Sequence, residues 1–368
     1  MSRRGENIYK RRDGRWEGRY IRNRRMDGSI HYGYVYARTY KEVREKLLPL
    51  KQEINYSRSL SIEKSSVYDW LKTWLDKRKH QLKLSTFSTY QYKLQKYVLP
   101  VIGKMELAEL TKSTIQNLVD TWKNEYMLSA STINSTFQIL HKALSAAFKN
   151  GYLLVDICED INLPRKKKKW IRALSQEDQA RLEKIALSDS FGLPIMISLY
   201  TGLRIGEVSA LSWNDIDFDN KVLYVENTYQ RIQTSKKNRK TMLIMTDAKS
   251  TASQRTVPLT KKLIKLLKRE KAKKAGNFLC NCNNRPMEPR LINYHFKSIL
   301  KKAGLDNIHF HQLRHTFATR CMEANGDIVS ISLLLGHSSS KTTMDIYVDS
   351  LDKQRRKIIS DMEILVNS

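Results

Sequence analysis

A stretch near the end of the chain gathers side chains that can act on a phosphodiester. His311 stands three residues before Arg314, His337 follows Gly336, and Tyr347 comes ten residues after His337. A guanidinium binds a phosphate through two parallel hydrogen bonds, and an imidazole donates a hydrogen bond or transfers a proton. A phenol hydroxyl can act as a covalent nucleophile. This combination predicts the attack of a tyrosine on a phosphodiester.

Another arginine, Arg204, stands in the string TGLRIGE at residues 201–207, after the apolar segment 193–199. Thr201 and Gly202 are expected to end one helix and start the next, because glycine tolerates the backbone angles at which helices stop. Arg204 then lies at a helix N-terminus, where backbone N–H groups and the guanidinium all face an anion. The string therefore predicts a second phosphate-binding arginine.

The strings HQLRH at 311–315 and LGH at 335–337, followed by Tyr347, resemble the motifs of the tyrosine recombinase (integrase) family, and TGLRIGE matches the first of these motifs. The resemblance implies that two arginines and a histidine hold the scissile phosphate while the tyrosine attacks it, giving a 3′-phosphotyrosine. It also implies a general acid, because Lys249 opens the string KSTASQRTVPL, residues 249–259, in the register of the family's mobile β-hairpin. The implied catalytic residues are Arg204, Lys249, His311, Arg314, His337 and Tyr347.

The same motifs assign supporting roles to Glu207, which is expected to orient Arg204, and to His315. For His315 a histidine with a hydrogen-bond partner in the core is an equal alternative. The implied function is a site-specific DNA recombinase that integrates and excises a mobile element. Because the covalent linkage conserves the phosphoester bond energy, neither ATP nor a metal nor another cofactor is expected. The sequence has no GxxxxGK[ST] string and no Asp/Glu set suited to Mg²⁺.

The composition agrees with a nucleic-acid partner. The 368 residues include 66 Lys and Arg against 37 Asp and Glu, giving a net charge of +29 and a pI near 9.9. Such an excess favours a polyanion, here double-stranded DNA. No apolar run approaches the roughly 20 residues of a membrane span, and residues 1–14 lack the apolar region of a signal peptide. Cys280 and Cys282 are expected to be ordinary thiols rather than metal ligands. A cytoplasmic, nucleoid-associated bacterial protein is expected.

The N-terminal residues predict a small three-stranded sheet backed by one helix. Residues 6–40 alternate in three short segments that turn at two Asp-Gly pairs, and Thr39 is expected to cap a helix from Tyr40 to about residue 56. A polar linker is expected at 57–66. This domain, residues 1–60, resembles the arm-type DNA-binding domain of phage and conjugative-transposon integrases. Its arginines are expected to contact DNA rather than only solvent, foremost Arg11, Arg12, Arg15 and Arg19.

Residues 67–163 have helical periodicity throughout. Ser85 is expected to cap one of the helices, residues 131–132 are expected to open another, and the segment 99–103, with its proline and glycine, is expected to break one. The resulting domain, residues 61–164, resembles the helical core-binding domain of the family, which clasps DNA opposite the catalytic domain.

The remaining residues, 165–368, are assigned to a mixed, mainly α catalytic domain of the tyrosine recombinase type with a C-terminal tail, and strands are expected at 221–225 and 240–245. The fold class is therefore multidomain α+β. A basic run opens this domain and is equally consistent with a solvated linker and with a strap along DNA phosphates. Its members are Arg165, Lys166, Lys167 and Lys168.

Recombination between two DNA sites implies a homotetramer on DNA, assisted by an excisionase and by host DNA-bending proteins. A type IB topoisomerase would form the same covalent bond without strand exchange, but the N-terminal domain and the compact spacing from Arg204 to Tyr347 disfavour it. A binding-only regulator with a decayed site is disfavoured by the complete residue set. A chromosome-dimer resolvase would lack the extra N-terminal domain.

Overall fold

The computed structural model describes residues 7–24, 30–61, 65–166, 172–234, 241–247, 254–273, 276–282 and 285–337, together with Met344, Ile359, Met362 and Glu363. Side chains are described in these ranges except at 22–24, 30 and 52–61. The chain divides into two compact units, an N-terminal unit Met1–Lys167 and a C-terminal unit Lys168–Ser368.

The N-terminal unit begins with the three antiparallel strands that the sequence predicts, and one helix packs on them. Gly18 of the second strand lets the helix approach, because a Cβ there would lie 2.6 Å from Val43. The Oγ1 of Thr39 accepts the N–H of Glu42 at 3.3 Å, as expected of the cap. The elements are β1 (Ile8–Lys10), β2 (Trp16–Arg24), β3 (Ile30–Ala37) and α1 (Tyr40–Ser61).

The end of α1 corrects the predicted linker. Residues 57–61 are helical, so the polar segment 57–66 is not a linker over its first half. Serine and arginine are tolerated within a helix, and polarity alone does not terminate one.

A helical bundle with its own hydrophobic core completes the N-terminal unit. Buried Trp122, Leu118 and Ile133 are among the residues at its centre. The helices are α2 (Val67–Arg78), α3 (Leu84–Lys93), a π-helical turn (Leu94–Val98), α4 (Leu99–Ile102), a short 3₁₀ turn (Leu107–Glu109), α5 (Lys112–Asn124) and α6 (Ala130–Lys149).

The expected helix break at 99–103 falls at the last residue of that segment, because the chain stays helical up to Ile102 and Pro100 does not end it. In a regular α-helix the ring of Pro100 would clash with the carbonyl four residues earlier. The wider π-helical turn, in which the N–H of Leu99 donates to the carbonyl of Leu94, accommodates the proline instead. The helix stops only at Gly103.

One predicted helix cap is wrong. Helix α3 starts after Lys83, which makes no side-chain capping hydrogen bond, and Ser85 is its second residue. Helix α6 starts at Ala130, one residue before the predicted opening at Ser131, and the Oγ of Ser129 accepts the N–H of Thr132 at 3.3 Å. A serine fits both the cap and the first turn, so its presence does not fix the first residue of a helix.

The C-terminal unit packs helices around one apolar helix, and its described residues also form three small sheets. Its helices are α7 (Gln176–Ser188), α8 (Leu193–Thr201), α9 (Ile205–Ala210), a 3₁₀ turn (Trp213–Asp215), α10 (Lys261–Lys273), α11 (Pro289–Lys302), α12 (His311–Glu323) and α13 (Ile328–Leu335). Its strands are β4 (Ile216–Asp217), β5 (Val222–Val225), β6 (Asn227–Gln233), β7 (Thr241–Asp247), β8 (Arg255–Pro258), β9 (Asn281–Cys282) and β10 (Arg285–Pro286). Helices α7, α9, α10 and α12 pack around the apolar helix α8.

Strands β5 and β8 pair with each other in the sheet β4-β5-β8. The chain between these two strands forms a separate antiparallel ribbon of β6 and β7. The predicted strands at 221–225 and 240–245 correspond to β5 and β7, whereas the polar β6 was not predicted. Arg231 of β6 binds Glu288 with two hydrogen bonds of 2.6 and 2.7 Å. The ribbon also lies close to α9, since a Cβ on Gly206 would lie 2.6 Å from the Oγ1 of Thr228. Among the described helices, none is long and apolar enough to cross a membrane.

Candidate active site

The turn between α8 and α9 sets the position of Arg204. Gly202 ends α8 with φ of +67° in the left-handed region, where residues with a side chain are strained. A Cβ on Gly202 would also lie 2.6 Å from Phe317 and 2.7 Å from Leu335. Glycine is therefore required at this position for two reasons: the left-handed backbone and the lack of space for a Cβ. The predicted break at Thr201–Gly202 is confirmed, and Arg204 immediately precedes α9.

Glu207 holds Arg204 from the first turn of α9. Its Oε1 accepts Nη1 of Arg204 at 2.7 Å, and its Oε2 accepts the backbone N–H of Arg204 at 3.0 Å. That N–H is thus occupied by the side chain of Glu207 and is not available to a bound anion. The carboxylate at the third helical position competes for it, as in other capping boxes. The expectation that the other backbone N–H groups at this helix start face an anion stays a prediction. The hydrogen bond from the guanidinium of Arg204 to Glu207 is the contact expected if Glu207 orients Arg204.

Three arginines converge on the C-terminal end of α13. Nε of Arg255 donates to the carbonyl of Leu334 at 2.6 Å, and Nη2 of Arg314 donates to the carbonyl of Leu335 at 2.6 Å. Nη2 of Arg204 donates to the next carbonyl, that of Gly336, at 3.2 Å. The last carbonyls of a helix lack partners within the helix and carry partial negative charge. Guanidiniums from β8, α12 and the start of α9 are therefore held at one helix end.

The two predicted phosphate-binding arginines differ in accessibility. Arg314 is only 1% exposed and also donates Nη1 to the carbonyl of Gly202 at 2.8 Å. Burial, followed by the charge of Arg204, lowers the pKa of Arg314 to about 9, so that it stays positively charged at neutral pH. The side chain of Arg204 is 37% exposed. Of these two arginines, Arg204 is therefore the accessible one and Arg314 is the buried one.

The histidines border this arginine cluster. His311 begins α12 and lies edge-on to His315, with ring centres 4.9 Å apart, and His337 follows the left-handed Gly336. Desolvation lowers the pKa of His311 to about 4, assisted by the neighbouring His315 and Arg314. Desolvation and the charges of Arg314 and then Arg204 lower the pKa of His337 to about 4 as well. Both imidazoles are therefore neutral at pH 7, each with one N–H donor and one acceptor nitrogen.

The structure brings together six of the residues that the sequence selects: Arg204, Glu207, His311, Arg314, His315 and His337. Tyr347 and Lys249 lie outside the described residues, as do Lys167 and Lys168. Of the other residues predicted to bind DNA, Arg19 is half-buried, whereas the rest are exposed: Arg11, Arg12, Arg15, Arg165 and Lys166. No group of three or more His, Cys, Asp or Glu side chains in the described part of the chain is placed to hold a metal ion.

Arg255 belongs to this cluster, although the sequence did not single it out. Its Nη2 donates to Oε2 of Glu207 at 2.9 Å, and both side chains are 5% exposed. Burial raises the pKa of Glu207, but the hydrogen bond and charge of Arg255 and the charge of Arg204 outweigh it, so the pKa is lowered. The sequence signal for Arg255 was its place in the string KSTASQRTVPL, residues 249–259, from which only Lys249 was selected as a candidate.

Comparison with known proteins identifies the family. The profile of the phage integrase family matches residues 167–354, and that of the phage integrase N-terminal SAM-like domain matches residues 66–123. The chain belongs to the phage integrase family. It is a tyrosine recombinase, an enzyme that breaks and rejoins DNA in site-specific recombination.

Relatives align over nearly the whole chain. A protein described as tyrosine recombinase XerC-like from Caldanaerobacter subterraneus subsp. tengcongensis is 28% identical, covering 92% of this chain and 93% of its own. The ICEBs1 integrase of Bacillus subtilis is 24% identical, covering 90% and 91%.

Solved integrases share the fold. The Tn1549 transposon integrase in complex with a circular intermediate DNA superposes with a TM-score of 0.64 at 20% identity, covering 78% of this chain and 99% of that one. A lambda integrase dimer bound to a COC′ core site gives a TM-score of 0.60 at 17% identity, covering 95% and 97%. The predicted fold class is confirmed.

The neutral histidines predict a specific sensitivity to acid. Their folded-state pKa values near 4 lie below the value of about 6.5 expected in the unfolded chain. Between these values the unfolded chain binds more protons, so stability is complete above about pH 6.5 and is lost as the pH falls towards 4. We expect a double variant, His311→Gln with His337→Gln, to lose less thermal stability between pH 7 and pH 5 than the unaltered chain.

The measurement is the melting temperature of each protein at both pH values. His309→Gln, which changes an exposed histidine two residues before His311, is the control and should follow the unaltered chain. Equal losses in all three proteins would contradict neutral histidines at the site.

Proposed function

We propose that this chain is the integrase of a mobile element, which joins and excises that element through a 3′-phosphotyrosine intermediate. The observation that carries the proposal is the convergence of Arg204, Arg314, His311 and His337 at the C-terminal end of α13. Fixed guanidiniums beside uncharged imidazoles match the needs of a phosphodiester, which gains negative charge as it is attacked.

In the proposed reaction, the hydroxyl oxygen of Tyr347 forms a bond to the scissile phosphorus and the bond to the 5′-oxygen breaks. Lys249 gives its proton to the departing 5′-oxygen. A neutral imidazole is able to accept the proton that Tyr347 loses, whereas an imidazolium is not. A 5′-hydroxyl from the partner duplex then attacks the phosphotyrosine, releases Tyr347 and completes strand exchange. The number of phosphoester bonds is unchanged, which removes any need for ATP.

The guanidiniums have a part in this reaction that follows from their contacts. Arg204 and Arg314 are already bound to backbone carbonyls, so their orientation does not depend on DNA. Donors that are fixed before the reaction cost no reorganisation when charge develops on the phosphate. The exposed part of Arg204 would make the direct contact, and the buried charge of Arg314 would strengthen the field at that point.

We also propose a division of labour along the chain: residues 1–60 bind arm-type sites, 61–164 bind the core site and 165–368 carry out catalysis. The N-terminal sheet supports the first role, because guanidiniums stack on its tyrosines. Arg11 lies 5.4 Å from the ring centre of Tyr36, and Arg19 lies 3.9 Å from that of Tyr32. Stacked arginines keep their charge and present a stiff surface to a DNA backbone.

The assembly that we propose is a homotetramer on two DNA sites, with an excisionase and host DNA-bending proteins as accessory partners. A solved lambda integrase is described as a tetramer bound to a Holliday junction, with a TM-score of 0.59 to this chain at 17% identity. In such an assembly the exposed Arg165 and Lys166 would lie along DNA phosphates as part of the basic run between domains.

Replacement of Tyr347 by Phe is expected to abolish the covalent protein–DNA adduct, because only the nucleophilic hydroxyl is removed. Binding to duplex DNA should change little for the same reason. The measurement is adduct formation on a nicked duplex that spans the end of the element encoding the chain, beside the dissociation constant for the intact duplex. An adduct that persists in Tyr347→Phe would refute the assignment of the nucleophile.

Deletion of residues 1–61, which removes the sheet and all of α1, is expected to spare cleavage of a core site and to impair integration at sites with distal arms. The motivation is that the sheet and helix form a hydrophobic cluster of their own, around Ile8, Val43 and Leu47. A full-length variant with Arg11→Ala, Arg12→Ala and Arg15→Ala serves as a second test that leaves this cluster in place. Normal integration by both proteins would disprove the arm-binding role.

A further inference from the structure

Arg255 makes contacts that a merely stabilising residue does not require. It lies on β8, where it pairs with Val225 of β5, and its side chain is 5% exposed. One side of its guanidinium binds Glu207, and its Nε binds the carbonyl of Leu334. It is thus connected both to the carboxylate that orients Arg204 and to the helix end that precedes His337.

The first connection fixes the rotation of Glu207. Its Oε2 receives Nη2 of Arg255 at 2.9 Å and the backbone N–H of Arg204 at 3.0 Å. Its Oε1 receives Nη1 of Arg204 at 2.7 Å and Nη1 of Arg255 at 3.4 Å. Both oxygens are therefore shared between the two arginines. Without Arg255 the carboxylate would lose the guanidinium on Oε2, and Arg204 would lose its fixed support.

The second connection fixes the end of α13. Arg255, Arg314 and Arg204 bind three successive carbonyls, those of Leu334, Leu335 and Gly336. Gly336 then leaves the helix with φ of +63°, and the N–H of His337 donates to the carbonyl of Ser332 at 3.1 Å. The chain that continues from His337 towards Tyr347 therefore starts from a helix end whose position depends on all three guanidiniums.

We propose that Arg255 is a positioning residue for DNA cleavage: it holds Glu207 and the C-terminal end of α13 in a fixed relation to each other, so that Arg204 and His337 face the same phosphate. Arg255 itself need not touch the phosphate. This inference rests on the proposed function, because it assumes that Arg204 binds the scissile phosphate and that Tyr347 attacks it.

A purely structural role makes a different prediction. A buried ion pair that serves stability alone can often be replaced by apolar side chains of similar volume without loss, whereas removal of one partner leaves an uncompensated charge. A positioning role is not restored by apolar replacement, because methionine donates no hydrogen bond to Leu334 or to Glu207. Replacement of both Arg255 and Glu207 by methionine is therefore expected to restore thermal stability but not the rate of cleavage.

The test uses the full chain with Arg255→Lys, Arg255→Met, and the double variant Arg255→Met with Glu207→Met. Arg320→Lys is the matched control, since Arg320 is another partly buried arginine that binds a carbonyl, that of Leu174, and a carboxylate, that of Glu323. For each protein we would measure the melting temperature, the dissociation constant for the duplex and the rate of adduct formation at saturating concentration of the nicked duplex.

We expect Arg255→Lys to form adduct about 100-fold more slowly at saturating DNA, the size of loss expected for a small misplacement of reacting groups. Its dissociation constant should stay close to that of the unaltered chain, and Arg255→Met should be slower still. Arg320→Lys should cleave at nearly the unaltered rate even where its melting temperature falls as far. The double variant should regain thermal stability relative to Arg255→Met without regaining cleavage.

Two results would overturn the inference: cleavage by Arg255→Lys at the rate of Arg320→Lys, or recovery of cleavage along with stability in the double variant. If Arg255→Lys does not fold, Arg255→Met is compared with Arg320→Lys in its place, because the double variant also removes the contact of Glu207 with Arg204. Failure of the unaltered chain to form any adduct would instead refute the proposed function, so the two failures are distinct.

Discussion

A single buried carboxylate holds the candidate site together. Glu207 has 5% of its side chain exposed and binds the guanidiniums of Arg204 and Arg255. Removal of one partner from a buried ion pair costs about 3–5 kcal/mol, because the remaining charge is left without compensation. This penalty keeps α9 and β8, which are far apart in sequence, in a fixed relation. The position of the Arg204 guanidinium depends on that relation.

Positive charge exceeds negative charge around this carboxylate, and the excess suits the substrate. Arg204, Arg255 and Arg314 meet at one helix end beside Glu207, and the partial charges of three carbonyls offset only part of the surplus. Repulsion from these guanidiniums is one reason that the pKa values of His311 and His337 are lowered to about 4. A phosphodiester would relieve the repulsion. The site is therefore arranged for an anion before DNA arrives.

The sequence was sufficient where chemistry requires one residue type at one position. Gly202 is an example, since a left-handed turn allows few substitutes, and this turn places Arg204 directly before α9. The sequence was insufficient where local preference does not fix the start of a helix, as with Ser85, which is the second residue of the helix that it was expected to cap. Arg255 escaped notice for another reason. Its role depends on contacts with residues 48 and 79 positions away in the chain, and no local pattern encodes those contacts.

The same network also bears on the proposed general acid. The segment that contains Lys249 leaves the ribbon at Asp247, which pairs with Asn227, and re-enters the sheet at Arg255. On one side of this segment, the ribbon is anchored by the bidentate contact of Arg231 with Glu288. On the other side, β8 is anchored by the contact of Arg255 with Glu207. A segment between two fixed points has a limited reach, so these anchored ends restrict where a general acid at Lys249 could act. Arg255 therefore joins three parts of the chain: the end of the segment that contains Lys249, the carboxylate that holds Arg204, and the end of α13 that precedes His337.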